Sequence, residues 1–94
     1  MESLDMREIT IDCRESVSRP DLHRAFANAL SFPDDYGNNL DALYDCLTEI
    51  AEPTRIQLLC WKNAAETLGN YAQSAKRAIL DAAIQNPNLT VCFD

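Results

Sequence analysis

Polar and apolar side chains alternate from Arg7 to Cys13, with Ile9, Ile11 and Cys13 on one side, which is the two-residue period of a strand. The period then lengthens. Leu22, Phe26 and Leu30 recur every fourth residue with Ala25 and Ala29 beside them, so a helix is expected to run to about Leu30. Its start is marked by Ser18-Arg19-Pro20-Asp21. Ser18 suits the cap, Pro20 the first turn, where a missing N–H costs nothing, and Asp21 the positive end of the helix dipole. Phe32-Pro33-Asp34-Asp35-Tyr36-Gly37 breaks the pattern. Asn38 or Asn39 can cap a second helix, in which Leu40, Leu43, Leu47 and Ile50 form the buried stripe and which Pro53 stops.

A nearly continuous apolar run, Arg55 to Trp61, predicts a second strand covered on both faces. Asn63 to Leu68 fits a short helix ended by Gly69. Asn70 can cap a long one, with Tyr71, Ala75, Ala78, Ile79 and Ala82 on one face and a stop at Asn86-Pro87-Asn88. Leu89 to Phe93 is a third strand. Helices between successive strands imply crossover connections. The expected fold is therefore α/β, a three-stranded parallel sheet flanked by three to four helices with right-handed connections. At 94 residues, 1–94 is expected to form a single domain.

Charge narrows the function. Fifteen acidic residues against eight Lys and Arg leave a net charge of −7, the wrong sign for direct nucleic-acid binding. No apolar run approaches the roughly 20 residues of a membrane span. The start, Met1-Glu2-Ser3-Leu4-Asp5, lacks the basic and apolar regions of a signal peptide, so a cytoplasmic protein is expected. Cys13, Cys46, Cys60 and Cys92 are widely spaced with no Cys-x-x-Cys pair. They fit small buried thiols better than a zinc site or a disulfide framework. No metal and no cofactor are expected.

The acidity is uneven. Asp34, Asp35, Asp41, Asp45, Glu49 and Glu52 occupy a stretch without Lys or Arg. Asp41 and Asp45 fall on the side of the second helix away from its leucine stripe, and like charges four residues apart weaken a helix by a few tenths of a kcal/mol. An enzyme needs more than this pair. Carboxylate chemistry requires burial, a cleft and perturbed acidities. There is no Gly-rich phosphate loop and one histidine, His23, expected to be exposed on the first helix. Cys46 has acidic neighbours that oppose a reactive thiolate. A binding module suits the segment better. Tyr36, Gly37, Asn39, Asp41, Tyr44 and Asp45 combine aromatic anchors, a permissive backbone and carboxylates on a rigid helix.

Asp21-Leu22-His23, followed by Pro33-x-x-Tyr36-Gly37-x-Asn39-Leu40-Asp41-Ala42-Leu43-x-Asp45-Cys46-Leu47-Thr48, resembles the barstar family of intracellular inhibitors of the secreted ribonuclease barnase. The resemblance covers nearly the whole chain in element order and is densest in this segment. It implies the same three-stranded parallel fold. It also implies that the second helix and its preceding loop plug a ribonuclease active site, with Asp45 where the substrate phosphate would lie. Asp41 matches a second acidic contact, Gly37 and Asn39 match loop positions near the partner, and Asp81 stands where the family has a glutamate contact. Leu40 and Thr48 belong to the same motif. Besides Asp81, three positions depart from it: Asp35 replaces a tyrosine, Tyr44 a tryptophan, and Ile50 another tryptophan. The implied partner is a basic extracellular-type or toxin ribonuclease, barnase-like, met by a monomer in a 1:1 complex. The alternatives are a general protein-interaction or regulatory domain using the same face, and a carboxylate-metal enzyme.

Overall fold

The computed structural model describes residues 6–94; the segment Met1–Asp5, on which the signal-peptide expectation rests, lies outside them. Chain order is β1 (Arg7–Asp12), a 3-10 turn (Cys13–Glu15), α1 (Arg19–Leu30), α2 (Leu40–Thr48), β2 (Thr54–Leu59), α3 (Trp61–Leu68), α4 (Asn70–Gln85) and β3 (Leu89–Phe93). The three strands form one parallel sheet in the order β1-β2-β3. Ile9 lies beside Ile56 and Ile56 beside Val91; Ile11 lies beside Leu58 and Leu58 beside Phe93. The expected α/β fold is the observed one, with four helices.

Among the described residues only one sheet face is covered, which corrects the expectation for the second strand. Along β2, Thr54, Ile56 and Leu58 are buried while Arg55 and Gln57 are exposed, and Glu8, Thr10 and Thr90 are exposed beside them. The apolar run misled because its last part is not strand. Cys60 takes a left-handed conformation (φ 59°), which ends the extended chain, and Trp61 opens α3. The Trp61 ring then packs edge-on against Phe93, with centroids 5.1 Å apart.

The helix starts follow local chemistry. Ser18 Oγ accepts the Asp21 N–H at 3.2 Å, and Asn39 Oδ1 accepts the Ala42 N–H at 2.7 Å. Asn70 does not cap α4. Gly69 precedes it with φ +58°, a conformation that L side chains avoid, and turns the chain directly from α3 into α4. The α4 core face is Ala72, Ala75, Ile79 and Ala82, with Tyr71 and Ala78 at its flank. These small residues let α2 pack closely along α4. The core joins Leu22 and Phe26 of α1, Leu43 and Leu47 of α2, the inward strand residues and the alanine face of α4. Cys13 is fully buried in the turn after β1, where burial pushes its thiol up to about 11. Cys46, Cys60 and Cys92 are only half-buried.

Candidate partner-binding face

The loop from Pro33 to Asn39 is held from inside. Tyr36 N–H donates to the Pro33 carbonyl at 3.0 Å. Asn38, not Gly37, takes the left-handed conformation (φ 53°), which asparagine tolerates. Space at Gly37 is tight. A Cβ there would lie 3.0 Å from Asn39 Nδ2 and 3.4 Å from Ala42 Cβ, against the side chain that caps α2. Asn39 uses both ends of its amide: Nδ2 donates to the Gly37 carbonyl at 3.2 Å while Oδ1 caps the helix. The permissive backbone expected at Gly37 is therefore used at its neighbour Asn38.

His23 is fully buried, contrary to the expected surface position. Its Nδ1 lies 2.6 Å from the Tyr36 hydroxyl and its Nε2 2.6 Å from the Tyr71 hydroxyl. A neutral imidazole has one donor and one acceptor nitrogen, and a hydroxyl can match either, so both are satisfied. The imidazole thus ties α1 to the loop and to α4. Burial lowers the pKa of His23 and raises those of the Tyr36 and Tyr71 phenols. Tyr36 also tilts against Phe32, with centroids 4.9 Å apart, and Arg19 sits 4.4 Å over the Tyr71 ring. Tyr36 is half-buried with its hydroxyl turned inward. The sequence carried a signal for this: His23 is three residues before Phe26 and seven before Leu30, on their side of α1.

Outward, α2 is acidic. Leu43 and Leu47 are buried, and Leu40, Tyr44 and Thr48 are half-buried. Asp41, Asp45 and Glu49 are exposed at successive four-residue steps, and Asp35 is exposed in the loop. The ion pairs among the described residues join Arg7 to Glu52, Arg14 to Asp12 and Arg24 to Asp21. None of them reaches the α2 carboxylates. Their field is felt at Cys46, whose thiol is raised first by burial and then by Glu49, Asp45 and Asp35. Asp81 is exposed on α4, the helix against which α2 packs. Thr48 turns its hydroxyl back to the Asp45 carbonyl at 2.9 Å. Among the described residues, no three His, Cys, Asp or Glu side chains gather as metal ligands.

A family model described as Barstar (barnase inhibitor) matches residues 6–93. The chain belongs to the barstar family. It is 40% identical over 78 residues to a Bacillus subtilis (strain 168) protein named "Putative ribonuclease inhibitor YrdF", covering 82% of this chain and 86% of that protein.

The departures from the barstar pattern fall at and around the acidic face. Asp35 is exposed in the loop, and Tyr44 is half-buried on α2, one residue from Asp45. Ile50 lies just beyond the end of α2, half-buried against the core. In this barstar-family chain the exposed carboxylates are legible in the sequence, whereas their internal supports are not. His23 and Tyr71 hold the loop, and Asn86 holds the far end of α2 through two carbonyls.

Proposed function

We propose that this chain is an inhibitor of a basic microbial ribonuclease, acting in the cytoplasm by steric and electrostatic occlusion, with no catalysis of its own. One observation carries this reading: Asp41 and Asp45 project from one exposed side of a capped helix with no cationic partner among the described residues. A ribonuclease must hold the RNA phosphate with cationic side chains. A helix carboxylate can enter that pocket and collect charge-assisted hydrogen bonds in place of the phosphate. Asp45 takes this role, with Asp41 beside it and Asp81 as a further acidic contact from α4. Gly37, Asn39 and Leu40 shape the approach, and Tyr36 and Thr48 line it. Asp35 and Tyr44 form the rim that selects the nuclease, which need not be barnase. The complex is 1:1.

The test is titration of the purified chain and its Asp45→Ala variant against barnase-type ribonucleases, read as lost RNA cleavage. Truncating Asp45 leaves the enzyme's cations unpaired and is expected to weaken binding by about 2–5 kcal/mol. Barnase–barstar is itself the reference system for that magnitude, which is borrowed from it. A loss below about 1 kcal/mol removes Asp45 from the phosphate position. Failure of the chain to protect cells that co-express the nuclease favours a general interaction domain instead.

A further inference from the structure

The turn that ends α4 reaches across to the end of α2. Asn86 is 4% exposed, and its side-chain amide is fully used. Nδ2 donates to the Leu47 carbonyl at 2.9 Å and to the Ile50 carbonyl at 3.0 Å. Oδ1 accepts the Asn88 N–H at 3.0 Å. Two donors face two carbonyls and one acceptor faces one N–H, so only this orientation of the amide fits. Asn88 adds Nδ2 contacts to the Ala51 carbonyl at 3.2 Å and the Ile50 carbonyl at 3.5 Å. The same turn is fastened to the sheet, since Thr54 N–H donates to the Asn88 carbonyl at 2.7 Å and Leu89 N–H to the Asn86 carbonyl at 3.0 Å.

The donors matter because α2 is weak by itself. It has nine residues and no basic residue in its last turn. A helix that short does not persist alone in water, and its last carbonyls need partners. Glu49 N–H meets the Asp45 and Cys46 carbonyls at 3.2 and 3.3 Å, and Ile50 N–H reaches the Leu47 carbonyl only at 3.4 Å. The shorter contact to Leu47, and those to the Ile50 and Ala51 carbonyls just beyond the helix, come from residues 36 to 39 positions away in the chain. Asn86 follows Asp81 by five residues, and Leu47 follows Asp45 by two. The clamp therefore ties together the two helices that carry the acidic groups, close to both.

We infer that Asn86 is a positioning residue of the partner-binding face: it fixes the depth and rotation of α2 against α4, so that Asp41, Asp45 and Asp81 meet the partner as one preset constellation. This rests on the inhibitor reading of that face. A preset constellation spares the complex the cost of ordering on binding. Its loss is expected mainly in the dissociation rate, because the charges that steer encounter remain.

Asn86→Ala removes the clamp, and Asn86→Asp keeps the volume but turns an oxygen toward two carbonyls. Hydrogen exchange on the free protein is the first readout. Amides of residues 43–50 are expected to lose about tenfold or more of their protection relative to β2. Surface plasmon resonance on immobilised barnase is the second, at a temperature where circular dichroism shows each variant folded. The dissociation rate is expected to rise about tenfold or more, with the association rate and its salt dependence unchanged. Protection lost equally from β2, or lost from α2 without faster dissociation, makes Asn86 merely structural and overturns the inference. If the Asn86 variants do not fold, Asn88→Ala, which removes only the longer contacts, is read the same way with smaller shifts expected. If the wild-type chain binds no barnase, the dissociation readout is taken on a basic ribonuclease that the chain neutralises in co-expression, and loss of protection not confined to α2 overturns the inference whatever the partner. The inhibitor reading is then judged separately by co-expression with other basic ribonucleases.

Discussion

At the scale of single residues, one imidazole joins three elements. His23 of α1 contacts Tyr36 of the loop and Tyr71 of α4 with no exposed surface of its own. Burial disfavours its cation and lowers its pKa from the ordinary 6.5. The unfolded chain therefore takes up a proton near pH 6.5 that the folded chain refuses until lower pH. By linkage, this contribution to stability is complete above about pH 6.5 and is lost as the pH falls from there through the folded-state value. Urea unfolding should show the midpoint dropping between about pH 7 and pH 5, a window in which unshifted carboxylates and thiols titrate little. His23→Gln should lower stability at pH 7 and flatten that slope. Parallel slopes for the two proteins would assign the pH dependence elsewhere. Gly37 is a second residue-scale constraint. Gly37→Ala would press a methyl group against Asn39 Nδ2, and a disturbed cap is expected to cost about 1 kcal/mol in the same urea assay.

At the scale of the element, Asp45 is a charge on α2 that does nothing for α2. Asp41 lies in the first turn, where the helix dipole favours it. Asp45 has Asp41 four residues before it and Glu49 four after, and it stands toward the negative end of the dipole. Replacing it by alanine removes both repulsions and improves helix propensity. Asp45→Ala is therefore expected to stabilise the free protein by about 0.5–1 kcal/mol in urea unfolding. The same substitution is expected to weaken the nuclease complex, so the two effects have opposite signs. A destabilised free protein would mean that Asp45 has an internal partner, and the case for an outward-facing acidic site would fall with it. Weak local stability also explains why α2 depends on Asn39 at one end and Asn86 at the other.

At the scale of the whole molecule, a net charge of −7 with an acidic helix at its surface favours rapid capture of a cationic partner. Steering acts beyond contact range, so it is sensitive to a Debye length that shrinks from about 10 Å at 0.1 M salt to about 3 Å at 1 M. Stopped-flow association with a basic ribonuclease should slow by about tenfold or more over that range, while dissociation changes little. An association rate indifferent to salt would leave the complex without long-range steering. The sheet contributes by being one-sided. With the four helices on its covered face, α2 and α4 pack together, and Asp45 and Asp81 share one rigid support.

What the sequence determined by itself is what depends on neighbours along the chain. Period distinguished strands from helices, Ser18 and the Asn38-Asn39 pair marked caps, and Asn86-Pro87-Asn88 marked the end of α4, because each effect acts within a turn or two of backbone. The parallel sheet followed from element order, and the exposure of Asp41 and Asp45 from helical geometry. The tertiary structure decided what depends on residues far apart in the chain. His23 is a core bridge because its partners lie 13 and 48 positions away. The Leu47 carbonyl of α2 and the Ile50 carbonyl just beyond it are held by an asparagine 39 and 36 positions on. Arg55 and Gln57 stay in solvent because, among the described residues, no helix covers their face of the sheet. Hydrogen bonds and burial act through space, and a linear pattern of polar and apolar residues does not state which distant groups will be brought within 3 Å.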